Sequence, residues 1–234
     1  MIIAVPVAII ATILTAAVTG LGCSIGNGHI WGYYPGHWWA KVMTRAFLLM
    51  VTVEGRENLE KGHSYVFVAN HQGMFDVLAI AATCDRPIGA VLKKELYNIP
   101  FLHQIALCTK SFAMDREDVR QSLTVIQNVT NQVKGGRAYL IFPEGTRSRK
   151  GNEMLEFHGG SFRCATKSGC PIVPIALVDC FKVLDQPGSK PVSVQVHYLK
   201  PITSEEYAGM KPAEVAVLVK ARIQEKLDEC LAEK

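Results

Sequence analysis

Apolar and polar positions divide the chain into two parts of different character. The first 40 residues contain no Asp, Glu, Lys or Arg. Within them Met1 to Gly22 is nearly all apolar, which as a helix is about 33 Å long, close to the roughly 30 Å of a bilayer core. A cleaved leader is the rival reading, with Ala16-Ala17 near its end, but the basic start of such leaders is missing. A glycine-rich break from Gly20 to Gly28 follows, then the aromatic cluster Trp31, Tyr33, Tyr34, Trp38 and Trp39, a residue class that favours the membrane–water boundary. From His37 to Met50 the pattern is two-sided: His37, Lys41 and Arg45 recur every four residues, with Trp39, Met43, Phe47 and Met50 opposite. That predicts an amphipathic helix, either packed on the domain or, as preferred here, interfacial and paired with the first.

Beyond residue 50 short apolar runs alternate with helical periods. Strands are predicted at Val51–Val53, Tyr65–Ala69, Ile88–Leu92, Ser111–Met114, Ala138–Ile141, Ile172–Leu177 and Val192–Tyr198. Helices are predicted from Met74 to about Thr83, over Ile99–Cys108, Arg116–Lys134 and Gly160–Ser168, and over Pro212–Leu231 with Val215, Val219, Ile223 and Leu227 on one face. The alternation predicts a single α/β domain over 51–234, its sheet mostly parallel or mixed and flanked by helices. Residues 1–50 form the membrane-associating helical pair of that scheme.

Composition narrows the chemistry. A length of 234 residues suits one domain with a real core, and a net charge of +4 is modest. Seven cysteines without a C-x-x-C pair argue for reduced thiols, and no Cys/His cluster has metal-ligand spacing. The basic residues are not interleaved with aromatics as in an RNA motif, so nucleic acid is not an expected partner.

Two turns carry candidate chemistry. Asn70-His71-Gln72-Gly73-Met74-Phe75-Asp76 follows a buried strand. On a straight helix His71 and Asp76 would diverge by about 500°; a turn between them lets the carboxylate fold back onto one imidazole nitrogen. The Asp then fixes the tautomer, and the other nitrogen takes a proton from a hydroxyl. No Ser or Cys lies inside the motif, so the nucleophile would be the substrate's own hydroxyl. The bland alternative is a capping Asp beside a loop His. The second turn, Phe142-Pro143-Glu144-Gly145-Thr146-Arg147-Ser148, also follows a strand and runs into Arg149-Lys150. Its guanidinium fork suits a phosphate, though a solvated charge run is the simpler reading.

Together these segments resemble the first and third sequence blocks of the glycerolipid acyltransferases, specifically the PlsC-type lysophosphatidic acid acyltransferases. Phe112-Ala113-Met114-Asp115-Arg116 resembles the second block and Cys170-Pro171-Ile172-Val173-Pro174-Ile175 the fourth. Lys93-Lys94-Glu95-Leu96 with Ile99-Pro100-Phe101 resembles the segment between the first two. The likeness covers residues 53 to 200 in the family's order. It departs at Gly73, where Ser is usual, at Lys110-Ser111, where Gly usually opens the second block, and at Phe157-His158-Gly159-Gly160, where Phe-Lys-x-Gly is common.

The resemblance implies acyl transfer from an acyl thioester, acyl-ACP or acyl-CoA, to the sn-2 hydroxyl of a lysophosphatidic acid. It implies His71 as general base, Asp76 as its partner, and Arg116 and Arg147 on the acceptor's phosphate, with Lys93 a lesser candidate. Glu144, Gly145 and Thr146 would shape the glycerol pocket. No metal or other cofactor is implied, and the expected setting is the cytoplasmic membrane with the domain facing the cytoplasm. Alternatives are another lysophospholipid or lyso-ornithine lipid as acceptor, a membrane-bound thioesterase or lipase, or a silent lipid-binding protein. Gly159-Gly160-Ser161-Phe162-Arg163 fails the nucleophile elbow at its last position, which weakens the hydrolase reading.

Overall fold

A computed structural model describes residues 10–18, 28–46, 50–184 and 192–233. Seven strands, β1 (Met50–Glu54), β2 (Val66–Ala69), β3 (Ile88–Lys93), β4 (Phe112–Met114), β5 (Ala138–Ile141), β6 (Ile172–Val178) and β7 (Ser193–Tyr198), form one sheet in the order β1-β7-β6-β2-β5-β3-β4. All neighbours are parallel except β6 and β7. The sheet is therefore mixed: β1 and β7 run against the other five.

Helices cover both faces. They are α1 (10–18), α2 (Gly28–Ala46), α3 (Asp76–Thr83), α4 (Lys94–Tyr97), α5 (Pro100–Thr109), α6 (Val119–Lys134), α7 (Arg163–Ser168), α8 (Phe181–Leu184) and α9 (Pro212–Ala232). The period of two in the central strands divides the core. Val66 and Val68 of β2 join Val129, Phe162, Val219 and Ile223 on the α6–α7–α9 side, while Phe67 and Ala69 join Tyr33, Phe75 and Ile80 on the α2–α3 side. Both faces being covered, β2, β5 and β6 are buried at every position. Asp118 caps α6, accepting the backbone N–H of Arg120 and Gln121 at 2.9 and 3.0 Å.

Several expectations are corrected. α3 starts at Asp76, not Met74, and α2 ends at Ala46 with Met50 already in β1, one residue before the expected domain boundary; residues 47–49 lie outside the described part. Of the helix expected over Met1–Gly22, residues 10–18 are helical and the others lie outside the described residues. Among the described residues no helix is long and apolar enough to cross a membrane. α1 and α2 do meet, Trp39 Nε1 donating to Thr12 Oγ1 at 2.9 Å. But α2 also packs on the domain: Tyr33, Ala40 and Met43 are buried, the Tyr33 hydroxyl donates to Cys84 O and His37 Nδ1 to Ala81 O at 2.6 Å. Its two-sidedness thus serves α3 and α5 as well as any interface. Five cysteines are buried free thiols, whereas Cys108 is disulfide-bonded, a pairing that local spacing does not reveal.

His197 of β7 ties the reversed strand pair to α9. Its Nδ1 meets Glu54 Oε2 at 2.9 Å and its Nε2 meets Gln195 Oε1 at 2.8 Å, with Cys230 Sγ 3.4 Å from Nε2. Burial, only partly offset by Glu54, holds its pKa below the usual histidine value. The unfolded chain therefore takes up a proton near pH 6.5 that the folded protein refuses until lower pH. Stability is expected to fall as pH drops from about 6.5. Denaturation midpoints at several pH values check this, and His197→Gln should flatten the slope.

Candidate active site

Every chemically suggestive turn leaves the same edge of the sheet, because β6, β2, β5, β3 and β4 are parallel neighbours. That edge holds the strands' C-terminal ends, where open α/β sheets place ligands. The N-termini of α3 and α6 also open there, favouring anions.

β2 delivers His71. On one side Asn70 anchors the turn to β6, its Nδ2 donating to Leu177 O at 3.0 Å and its Oδ1 accepting Leu177 N at 2.8 Å. The His71 ring stacks on Phe142, which leaves β5 next door, with centroids 4.3 Å apart. Asp76 closes the turn from the first position of α3. Its Oδ2 accepts His71 Nδ1 at 2.7 Å, Gln72 N at 2.6 Å and Gly73 N at 3.0 Å. Burial, the largest influence, pushes the Asp76 carboxyl above the ordinary carboxylate range, and its bond to His71 and the two N–H groups pull it back. An oxygen already facing two N–H groups cannot donate to His71, so the imidazole carries its proton on Nδ1 and offers Nε2 as a base. The His71 side chain keeps 14 % exposure, against 0 % for Asp76. No serine hydroxyl or thiol is hydrogen-bonded to the His71 ring among the described residues.

The second turn is bound to the first. Glu144, expected at the glycerol pocket, is instead 2 % exposed. Its Oε1 accepts His71 N at 2.7 Å and its Oε2 accepts Leu155 N at 2.9 Å. Burial raises its pKa and those two N–H groups lower it. Glu144 therefore braces the backbone of His71 and leaves no oxygen facing solvent. Gly145 has φ +69°, and a Cβ there would lie 3.2 Å from His158 Cδ2, so a side chain would be strained. Ser148 N donates to His71 O at 2.8 Å. Thr146 is exposed and Arg147 half-buried, one strand from His71.

The other cations stand farther off. Lys93 ends β3 and pairs with Glu95 at 3.2 Å. Arg116 follows β4, is exposed, and has no hydrogen bond or ion pair with a described residue. β4 is three strands from β2, or about 14 Å at about 4.8 Å each. The loop that carries Arg147 is hydrogen-bonded to the His71 backbone through Ser148 N, whereas Arg116 stands at the far strand of that edge. No group of His, Cys, Asp or Glu suited to a metal occurs among the described residues. A cleft of about 650 Å³ lies at the opposite edge, lined by Arg56, Lys61, Arg86 and Arg137. Arg86 there donates to the loop carbonyls of Leu59, Glu60 and His63.

Residues 50–178 match the sequence profile of the Acyltransferase family. The chain belongs to that family. This acyltransferase is 30 % identical over 184 residues to the 1-acyl-sn-glycerol-3-phosphate acyltransferase of Salmonella typhimurium, covering 78 % of this chain and 75 % of the relative. It is 30 % identical over 210 residues to the enzyme of the same name from Saccharomyces cerevisiae, covering 88 % and 69 %. Its fold resembles the crystal structure of the 1-acyl-sn-glycerophosphate (LPA) acyltransferase, PlsC, from Thermotoga maritima, with a TM-score of 0.75, 20 % identity, and coverage of 96 % of this chain and 98 % of that one.

The acyltransferase site also has polar residues that sequence reading passed over: Asn70, Gln72, Asn152 and Asp179, all tied across the base of the His71 turn. Two of them stand inside or beside the first block, but their partners are about a hundred residues away, beyond any local pattern. Glu144 lends itself to a test. In Glu144→Gln one of two buried N–H groups faces an amide N–H instead of an oxygen, at a cost of about 1–3 kcal/mol. A lower unfolding midpoint together with a lower kcat is expected; unchanged values in both would remove Glu144 from the support of His71.

Proposed function

We propose that this acyltransferase moves a fatty acyl group from an acyl thioester, acyl-ACP or acyl-CoA, to the sn-2 hydroxyl of 1-acyl-sn-glycerol-3-phosphate, giving phosphatidic acid. The observation that carries the reading is His71 with Nδ1 committed to Asp76 and, among the described residues, no protein nucleophile hydrogen-bonded to its ring. Nε2 removes the proton as the acceptor's oxygen attacks the thioester carbonyl. The tetrahedral intermediate collapses by breaking the C–S bond, and the proton passes from the imidazolium to the departing sulfur. Asp76 stabilises the imidazolium in between. The thioester already activates the carbonyl, so the chemistry asks for no further cofactor.

Arg147, in the loop hydrogen-bonded to the His71 backbone, is the first candidate for the acceptor's phosphate. Arg116 and Lys93 supply positive charge farther along the edge, Lys93 through its neutralised pair with Glu95 being the weakest. Gly145 and Thr146 border the space for the glycerol. The names of the relatives from Salmonella and yeast support this acceptor. The exposed apolar side chains Ile10, Ile13 and Leu14 of α1 and Tyr34 and Trp38 of α2 support a bilayer face beside which the acceptor and the product reside. Lys41 and Arg45, at the far end of α2, favour a domain on the cytoplasmic side of the inner membrane.

The test is an assay of detergent-solubilised enzyme with a long-chain acyl thioester and lysophosphatidic acid, following free thiol and phosphatidic acid together. Acceptor-dependent thiol release with matching product is expected, with His71→Ala and Asp76→Asn each lowering kcat by about 10²–10⁴-fold. Thiol release without acceptor would make the enzyme a thioesterase. Product formed only with another lysolipid would move the acceptor assignment to that head group.

A further inference from the structure

Gln72 is 1 % exposed and uses both ends of its side chain. Its Nε2 donates to Asn152 Oδ1 and to Leu177 O, each at 2.8 Å, and its Oε1 accepts Cys180 N at 2.9 Å. Asn152 belongs to the strap that follows Arg147. Its Oδ1 also accepts Asp179 N at 2.9 Å, and its Nδ2 donates to Asp179 Oδ1 at 2.9 Å. Asp179 ends β6 with φ +63° and pairs with Lys182 at 2.9 Å. A non-glycine residue keeps such a backbone only where its surroundings over-determine it. Three irregular segments thus meet on two amides: the His71 turn, the 148–155 strap and the exit of β6.

We infer that Gln72 and Asn152 are positioning residues of the acyl transfer, fixing the catalytic turn and the phosphate-side strap in one register. Neither touches the imidazole. His71 and its two following residues have no strand or helix to hold them, so their place depends on ties made by neighbours. Asn70 and Gln72 flank His71 and both fasten to β6, through Leu177 and Cys180. Asn152 joins the same bolt to the strap, whose Ser148 N holds His71 O at 2.8 Å. An acceptor phosphate seated on the strap at Arg147 is thereby held at a fixed offset from Nε2. A displacement of about 1 Å between reacting groups costs about 10²-fold in rate. The inference rests on His71 being the general base.

The experiment is steady-state kinetics of full-length enzyme in detergent, varying acceptor and donor separately, with thermal unfolding measured on each variant. Gln72→Met keeps the side chain's length and removes its three bonds; Asn152→Ala removes the strap's share. Each is expected to lower kcat about tenfold or more while the acceptor KM stays near wild type, and the double variant should be no slower than the slower single. Asn152→Asp sets a carboxylate against Asp179; adding Asp179→Asn exchanges donor and acceptor and should recover kcat. Wild-type kcat in both single variants, losses that multiply in the double, or a raised KM at constant kcat would overturn the assignment. If Gln72→Met does not fold, the exchange pair decides, and unrecovered kcat in that folded protein would also overturn it. His71→Ala run alongside separates the two claims. Activity retained there removes the base itself, whereas an inactive His71→Ala beside a fully active Gln72→Met removes only the positioning role.

Discussion

A single buried oxygen, Asp76 Oδ2, gathers the three N–H groups that close the His71 turn. A carboxylate without solvent is costly unless its charge is met by donors. Here the donors, all on Oδ2, are two backbone N–H groups and one imidazole, while Oδ1 is buried without a hydrogen-bond partner among the described residues. The arrangement works in both directions: the charge is tolerated because the turn supplies N–H groups, and the turn is held because the charge draws them together. Removing the carboxylate would leave two backbone N–H groups and the ring without a partner, so loss of tautomer control and loss of local order come together.

The fold makes that turn useful by direction. Parallel strands send β2, β5, β3 and β4 out at one edge, bringing His71, the Arg147 loop and Arg116 to a common side although 76 residues separate His71 from Arg147. Helices beginning at that edge add positive potential, while at the other edge Arg86 is held by the loop carbonyls of Leu59, Glu60 and His63. Glu144 joins the two turns, because one carboxylate oxygen holds the peptide of His71 and the other holds Leu155.

β2, β5 and β6 were legible because doubly covered strands are continuous apolar runs, and all seven strands lie within a residue of their expected positions. α6 and α9 were legible from their periodic faces. The His71–Asp76 bond followed from spacing plus a strand-to-helix break. Other features depend on distant partners. The reversal of β7 and β1 arises in how the chain returns to the sheet, which apolar pattern does not encode. Tyr33 and His37 of α2 reach Cys84 and Ala81, so a helix that reads as interfacial is also a core element. Glu144 looked like a pocket residue beside a cationic loop; that it turns inward depends on the peptide of His71 lying one strand away. Gln72 and Asn152 are polar residues of ordinary type, and only burial together with exact hydrogen-bond matching reveals their place.

The protonation pattern of His71 tests the central claim most directly. With histidine labelled with nitrogen-15, two-bond correlations in the magnetic resonance spectrum distinguish the ring nitrogens, and the His71→Gln protein identifies the His71 signals among seven histidines. At a pH where the ring is neutral, the expected result is a proton on Nδ1 and a bare Nε2, changing to the opposite or a mixed tautomer in Asp76→Ala. A wild-type ring carrying its proton on Nε2 would contradict it, because that nitrogen could not then accept the acceptor's proton.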